Sequence, residues 1–198
     1  MFRWTALVAV AASVLVGAAS AFAYPVPGAS LGPADVTTRQ AAFDEQFIDT
    51  MAMHHMSAIE MAQIALRRAQ HPQVRRIARQ IIRSQANELR EFHALRRRWY
   101  GSASFRMWPT DAFKLRMMGE EPMPEMLRRL RHGRPFDRLF LNAMIAHHSG
   151  ANAMARWELL RGSHWQLRQI AENIINAQSR EIGQMIRLRV HWYGRNAF

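Results

Sequence analysis

From residue 39 to about residue 70 the apolar residues return every three or four positions, the period of a helix with one buried face. Phe47, Ile48, Met51, Ala58, Ala62 and Leu66 fall on one side, while Met53, Met56, Glu60, Gln63 and Arg67 fall opposite. His54 and His55 flank Met51 inside the apolar stripe, and Asp44 lies near its centre. His71-Pro72 breaks the pattern, since proline suits the first position of a new helix. A second helix follows over 72–99, with Val74, Ile77, Ala78, Ile81, Leu89, Phe92 and Leu95 on its apolar face and Gly101 as its stop. Gln85 and Glu88 sit within that same face, where an unpaired carboxylate is expensive. Residues 102–133, with three prolines and Gly133, read as a connection with short helical pieces at 110–118 and 124–132. The long-helix pattern then returns at 134–161 and 164–192, with Gly162-Ser163 as the turn and Ser163 as candidate cap.

The second pair of helices repeats the first. Residues 43–101 align with 136–194 at an offset of 93 without a gap, and 25 of the 59 pairs are identical. Identities include Asp44/Asp137, Met51/Met144, His54/His147, His55/His148, Met61/Met154, Gln85/Gln178, Glu88/Glu181 and the closing Trp-Tyr-Gly. Two copies of a helical hairpin predict an all-α four-helix bundle built from tandem repeats about a pseudo-two-fold axis, with the first and third long helices facing each other.

The repeated residues carry the candidate chemistry. Each repeat offers Met51, His54 and His55, or Met144, His147 and His148, on one helix, and Glu88 or Glu181 from the inner face of the next; Met61 and Met154 lie on the inward edge. Imidazole takes copper, zinc, iron or nickel, and thioether selects Cu(I) or similarly soft ions. A Met followed at i+3 and i+4 by His places all three together on a helix, so the donor set suits copper, as Cu(I) or Cu(II). The competing reading is that the histidines are buried and hydrogen-bonded to Glu88, Glu181, Asp44 and Asp137, with no metal. A di-iron carboxylate centre needs four inward Glu and two Glu-x-x-His motifs, which this pattern lacks. There is no cysteine, no Gly-x-Ser-x-Gly elbow and no glycine-rich phosphate loop, so nucleophilic catalysis has no support and no catalytic residue is assigned. The methionines of the connection, Met107, Met117, Met118, Met123 and Met126, read as cover for a core.

Residues 1–23 change the setting. A single early charge at Arg3, an apolar run and Ala21-Phe22-Ala23 read as a secretory signal cleaved after Ala23, and as a membrane anchor if uncleaved. Residues 24–38, rich in Pro and Gly, read as a flexible tether, with Thr37 or Thr38 to cap the helix that follows, and 39–194 as the folded domain. The whole chain carries a formal charge of +12, almost all of it arginine. Export argues against nucleic acid as partner. It leaves an arginine-rich solvated surface, with contact to an anionic membrane surface as an alternative.

The run Phe-x3-Met-x2-His-His-x2-Ala-x2-Met, here Phe47 to Met61 and again Phe140 to Met154, followed by Gln-x2-Glu at Gln85/Glu88 and Gln178/Glu181, resembles the DUF305 family, which includes CopM-like periplasmic copper-binding proteins. The resemblance covers both repeats and implies a ferritin-like bundle that binds copper or silver through Met and His. It adds Met185 to the candidate ligands, as the end of a Gln-x2-Glu-x3-Met pattern. Departures from the family pattern are Met53 and Ala146 in place of a Pro before the His pair, Ala153 opposite Glu60, and Phe92 opposite Met185. The function so implied is periplasmic copper binding or sequestration. A metal-free interaction or stress module and, more remotely, a metalloenzyme are the alternatives.

Overall fold

A computed structural model describes residues 33–108 and 123–195, with side chains from residue 42 onward. The signal-peptide reading, most of the tether and the helical piece expected at 110–118 lie outside these residues. The described residues form five helices: α1 (Pro33–Arg68), α2 (Pro72–Tyr100), α3 (Met123–His132), α4 (Phe136–Arg161) and α5 (Trp165–Tyr193). No strand occurs among them. α1 pairs with α2 and α4 with α5 as hairpins, and α1 packs against α4 to join the two. α3 lies across α1 and α4, burying Met126, Leu127 and Leu130.

Helix boundaries follow local chemistry. α2 begins on Pro72 and ends where Gly101 takes a left-handed φ of 73° and returns its N–H to the Arg97 carbonyl. α1 starts earlier than the composition suggests, at Pro33, so residues 33–38 are helical rather than tether, and Thr37 and Thr38 lie within the helix instead of capping it.

The turns inside the hairpins are held from the other hairpin. Asp137, in the first turn of α4, accepts the N–H groups of Gln70 and His71 at 3.0 and 2.8 Å and lies 2.5 Å from His71 Nδ1. At the opposite end Asp44, on α1, accepts the N–H groups of Ser163 and His164 at 2.9 Å each, the Ser163 hydroxyl at 2.5 Å, and His164 Nδ1. Both arrangements use residues 93 apart. Trp192 stacks on His71 at 3.8 Å and Trp99 on His164 at 4.0 Å. This corrects two expectations. Ser163 does not cap α5, and Asp44 and Asp137 serve the turns rather than the paired histidines. Neither α2 nor α5 has a capping side chain of its own, so carboxylates aimed at the orphan N–H groups from across the bundle do that work.

The apolar interior falls into two clusters. One holds Ala58, Met61, Val74, Ile81, Leu130, Phe140, Met144 and Met185 among others. The other is built around Phe47, Met51, Phe92, Ala151, Met154 and Ile174, with Phe47 and Phe92 in edge-to-face contact at 6.2 Å. On each long helix the residues between the two clusters are polar: 54 and 55, 85 and 88, 147 and 148, 178 and 181.

Candidate metal centre

A polar layer thus crosses the middle of the bundle. His54 and His147 meet where α1 packs on α4, with ring centroids 3.6 Å apart and planes at 37°. They are 2 % exposed, and His55 and His148 are fully buried. Each outer histidine has a carboxylate partner on the paired helix. His55 Nε2 lies 2.5 Å from Glu88 Oε2, and His148 Nε2 lies 2.8 Å from Glu181 Oε2. Both carboxylates reach the surface, with 19 % of the Glu88 side chain and 16 % of the Glu181 side chain exposed. Glu88 and Glu181 thus each meet an inward histidine.

The hydrogen bonds fix much of the protonation. The Ser57 hydroxyl donates to the His54 carbonyl at 2.7 Å, so its oxygen is left to accept from His147 Nε2 at 2.8 Å. His147 therefore carries its proton on Nε2, and its Nδ1 is a bare lone pair with no partner among the described residues. His55 and His148 each direct Nε2 at a glutamate. With Nε2–H donated to a glutamate, Nδ1 is unpaired and buried in both. Burial, then the fields of His54, His148 and His55, hold His147 well below the ordinary imidazole range, so it is neutral. The amides of Gln85 and Gln178 are also buried without hydrogen-bond partners among the described residues. Buried polar atoms normally find one. The layer therefore has spare donor capacity, in the atoms that soft and borderline metal ions use.

Thioethers lie on both sides of the layer. Met51 and Met154 belong to one apolar cluster, and Met61, Met144 and Met185 to the other, all essentially without solvent contact. Met53 and Met56 face water, as the helical phase predicts. The candidate residues are therefore gathered into one slab of the molecule. Among the described residues, however, no three His, Asp or Glu side chains converge on one point.

The sequence reading passed over several polar residues that shape the surroundings. Arg96 is fully buried and bonds Asp49 at 2.5 Å and Glu45 at 2.9 Å, while Trp108 donates to Asp49 at 2.9 Å. The offset of 93 places Arg189 and Asn142 at the corresponding points, 3.3 Å apart and without the carboxylates. Glu158, opposite Ala65, is buried beside Asp44; burial and that neighbour push its carboxyl up to about 8. The signal for Arg96 was its identity with Arg189, which marks a position that both repeats use.

A family model described as "Domain of unknown function (DUF305)" matches residues 44–189. The fold is similar to CopM in the Cu(I)-bound form, at 32 % identity and a TM-score of 0.64, covering 76 % of this chain and 98 % of that one. CopM also occurs as Ag-bound, Cu(II)-bound and apo forms among the similar structures. A putative secreted DUF305 protein from Streptomyces coelicolor is 25 % identical with a TM-score of 0.65, covering 74 % of this chain and 89 % of that one. An uncharacterized protein of Acanthamoeba polyphaga mimivirus is 41 % identical over 49 residues, 25 % of this chain and 32 % of that protein; the match spans about a third of the relative's length.

Proposed function

The chain belongs to the DUF305 family, and from that premise we propose that it is an exported protein that binds copper in the polar layer and sequesters it or hands it on. The observation that carries the proposal is the set of buried imidazoles of His55, His147 and His148, each with an unpaired Nδ1, in a slab bounded by thioethers. Imidazole and thioether together favour Cu(I), with Cu(II) accepted through the nitrogens. Similarity to a protein with Cu(I)-, Cu(II)- and Ag-bound forms supports the same class of ion. His55 and His148 are the leading nitrogen ligands. Glu88 and Glu181 fix their rings and tautomers, the role that an outer carboxylate takes at many metal–histidine bonds. Export rests on the reading of residues 1–23 and on likeness to a putative secreted protein. No described helix is long and apolar enough to cross a membrane.

The test is titration of purified, metal-free protein with Cu(I) and with Cu(II), beside a variant with His54, His55, His147 and His148 all changed to Ala. Tight uptake by the wild type and its loss in a folded variant supports copper binding. Normal folding with no uptake by the wild type leaves a metal-free bundle with buried His–Glu pairs.

A further inference from the structure

α2 and α5 run beside each other along one side of the bundle without packing tightly, and the seam between them is an open groove. Its larger part, about 730 Å³, is walled by Gln80, Arg83 and Ser84 from α2 and by Arg180, Gln184 and Arg187 from α5. Arg83, Arg180 and Arg187 are exposed, and none has a hydrogen bond or ion pair among the described residues. The one carboxylate in the lining is Glu181, already engaged by His148. Further along the same seam the groove narrows to about 360 Å³ and turns largely apolar, with Leu95, Ile170 and the exposed Trp165 beside a single carboxylate, Glu91.

The internal repeat supplies a comparison. At an offset of 93, Arg83 corresponds to Asn176, Arg180 to Asn87 and Arg187 to Ala94. Three guanidiniums thus occur at positions where the other repeat has neutral residues, so the basic end is not a consequence of the shared hairpin fold. Gly183, opposite Arg90, keeps the wall low there. The groove is a shallow, open trench rather than a closed cavity. Its basic end offers no aromatic side chain on which a nucleic-acid base could stack. An extended or helical chain with carboxylates can lie in it, and an apolar residue at one end would meet Trp165.

We propose that the α2–α5 groove is a docking surface for an acidic polypeptide segment of another protein, whose carboxylates pair with Arg83, Arg180 and Arg187 and whose apolar end rests on Trp165. A segment held there lies directly over Glu181, at the edge of the polar layer. The docking itself needs no metal, so its test stands apart from the copper reading.

The experiment is fluorescence anisotropy of a labelled, glutamate-rich peptide ending in leucine, added to the metal-free protein at low salt and at about 0.15 M salt, where exposed charges are screened within ~8 Å. The expected result is salt-sensitive binding that weakens about tenfold in R83Q/R180Q/R187Q, since each exposed ion pair contributes only a few-fold. A charge-matched control, R97Q/R98Q/R156Q, should bind as the wild type does. Should the triple variant melt early, Arg187→Gln alone replaces it, with a proportionate few-fold loss expected. Equal weakening in the control shows a diffuse charge effect and overturns the proposal, as does a peptide that fails to bind the wild type at either salt. Displacement of the peptide by an equal concentration of inorganic phosphate assigns the arginines to a small anion instead. Binding to phosphatidylglycerol vesicles that the triple variant loses, with the peptide unbound, assigns them to a membrane surface; either result also overturns the proposal.

Discussion

Glu158 and His147 pull the stability of the metal-free protein in opposite directions with pH. The Glu158 side chain is fully buried, and its carboxyl is raised from 4.5 to about 8. Folding therefore takes up a proton between those values, and the folded state loses stability as pH rises through the window. Glu158→Gln should remove that loss. Its melting temperature should match the wild type near pH 4 and exceed it by several degrees at pH 8, for a contribution of a few kcal/mol. His147 is the reverse case. It is neutral when folded but takes a proton near 6.5 when unfolded, so its contribution is intact above that pH and fades as pH falls below it. His147→Gln should flatten the acid side of the melting curve, and thermal melts of the metal-free protein across pH check both variants. Glu88 separates support of a ligand from support of the fold. If it orients His55 toward a metal, Glu88→Gln should weaken copper binding by ~10–100-fold with the helices intact. If it only satisfies a buried imidazole, the melting temperature and its pH dependence should change and the copper affinity should not. Gly162 shows how closely Glu158 is packed, since a Cβ placed there would come within 2.0 Å of Glu158 Oε1 and 2.7 Å of its carbonyl oxygen. Gly162→Ala should therefore lower stability by ~1–3 kcal/mol, read as a falling denaturation midpoint.

Each hairpin turn depends on an aspartate from the other hairpin, so α1 and α4 fix the ends of α5 and α2 as well as the centre of the bundle. Removing Asp137 leaves the N–H groups of Gln70 and His71 without their acceptor and detaches the His71 ring. Bonds to a buried charged acceptor contribute about 1.5–3 kcal/mol each in such cases. Asp137→Ala should cost ~3 kcal/mol, and hydrogen exchange should quicken at the start of α2 rather than along α4. Asp44→Ala should do the same at the start of α5. Exchange that quickens uniformly would mean that the caps are not local devices. At this scale the long helices were legible, because the apolar period marks each of them and proline or glycine marks several of their ends. Asp44 and Asp137 were seen as inward and paired by the repeat, but their partners were not. A periodic stripe says which way a side chain points on its own helix and nothing about which turn of another hairpin it meets. The early start of α1 was missed for a related reason. Pro33 breaks a helix in the interior but is well placed in a first turn, and composition alone does not distinguish the two.

Across the whole molecule the repeat made the polar layer readable, since His54, His55, Glu88 and their counterparts at the offset of 93 had to face the same interior. What the repeat hid was how the two halves interlock. Met61 shares a cluster with Met144 and Met185 from the other repeat, whereas Met154 joins Met51 and, in place of a third thioether, Phe92. The helical phase gives each methionine a face but not a cluster, because cluster membership depends on α1 and α4 packing together. The consequence is an unequal pair of surroundings for one layer. His55 touches the Phe92 ring at 5.8 Å, and the offset places Met185 at the corresponding position of the second repeat. Thioether favours Cu(I) and adds little for Cu(II). The first equivalent of Cu(I) should therefore enter on the Met185 side. Met185→Phe should weaken that equivalent about tenfold, one ligand's worth of affinity at ~1.4 kcal/mol, while Cu(II) binding stays within a few-fold. Phe92→Met should strengthen the second equivalent and bring the two closer together. Competitive titration of both variants against a Cu(I) chelator measures these shifts, and melting curves report any packing loss. If Met185→Phe alters the melting curve alone, the five methionines only fill the core, and the copper reading must rest on the imidazoles.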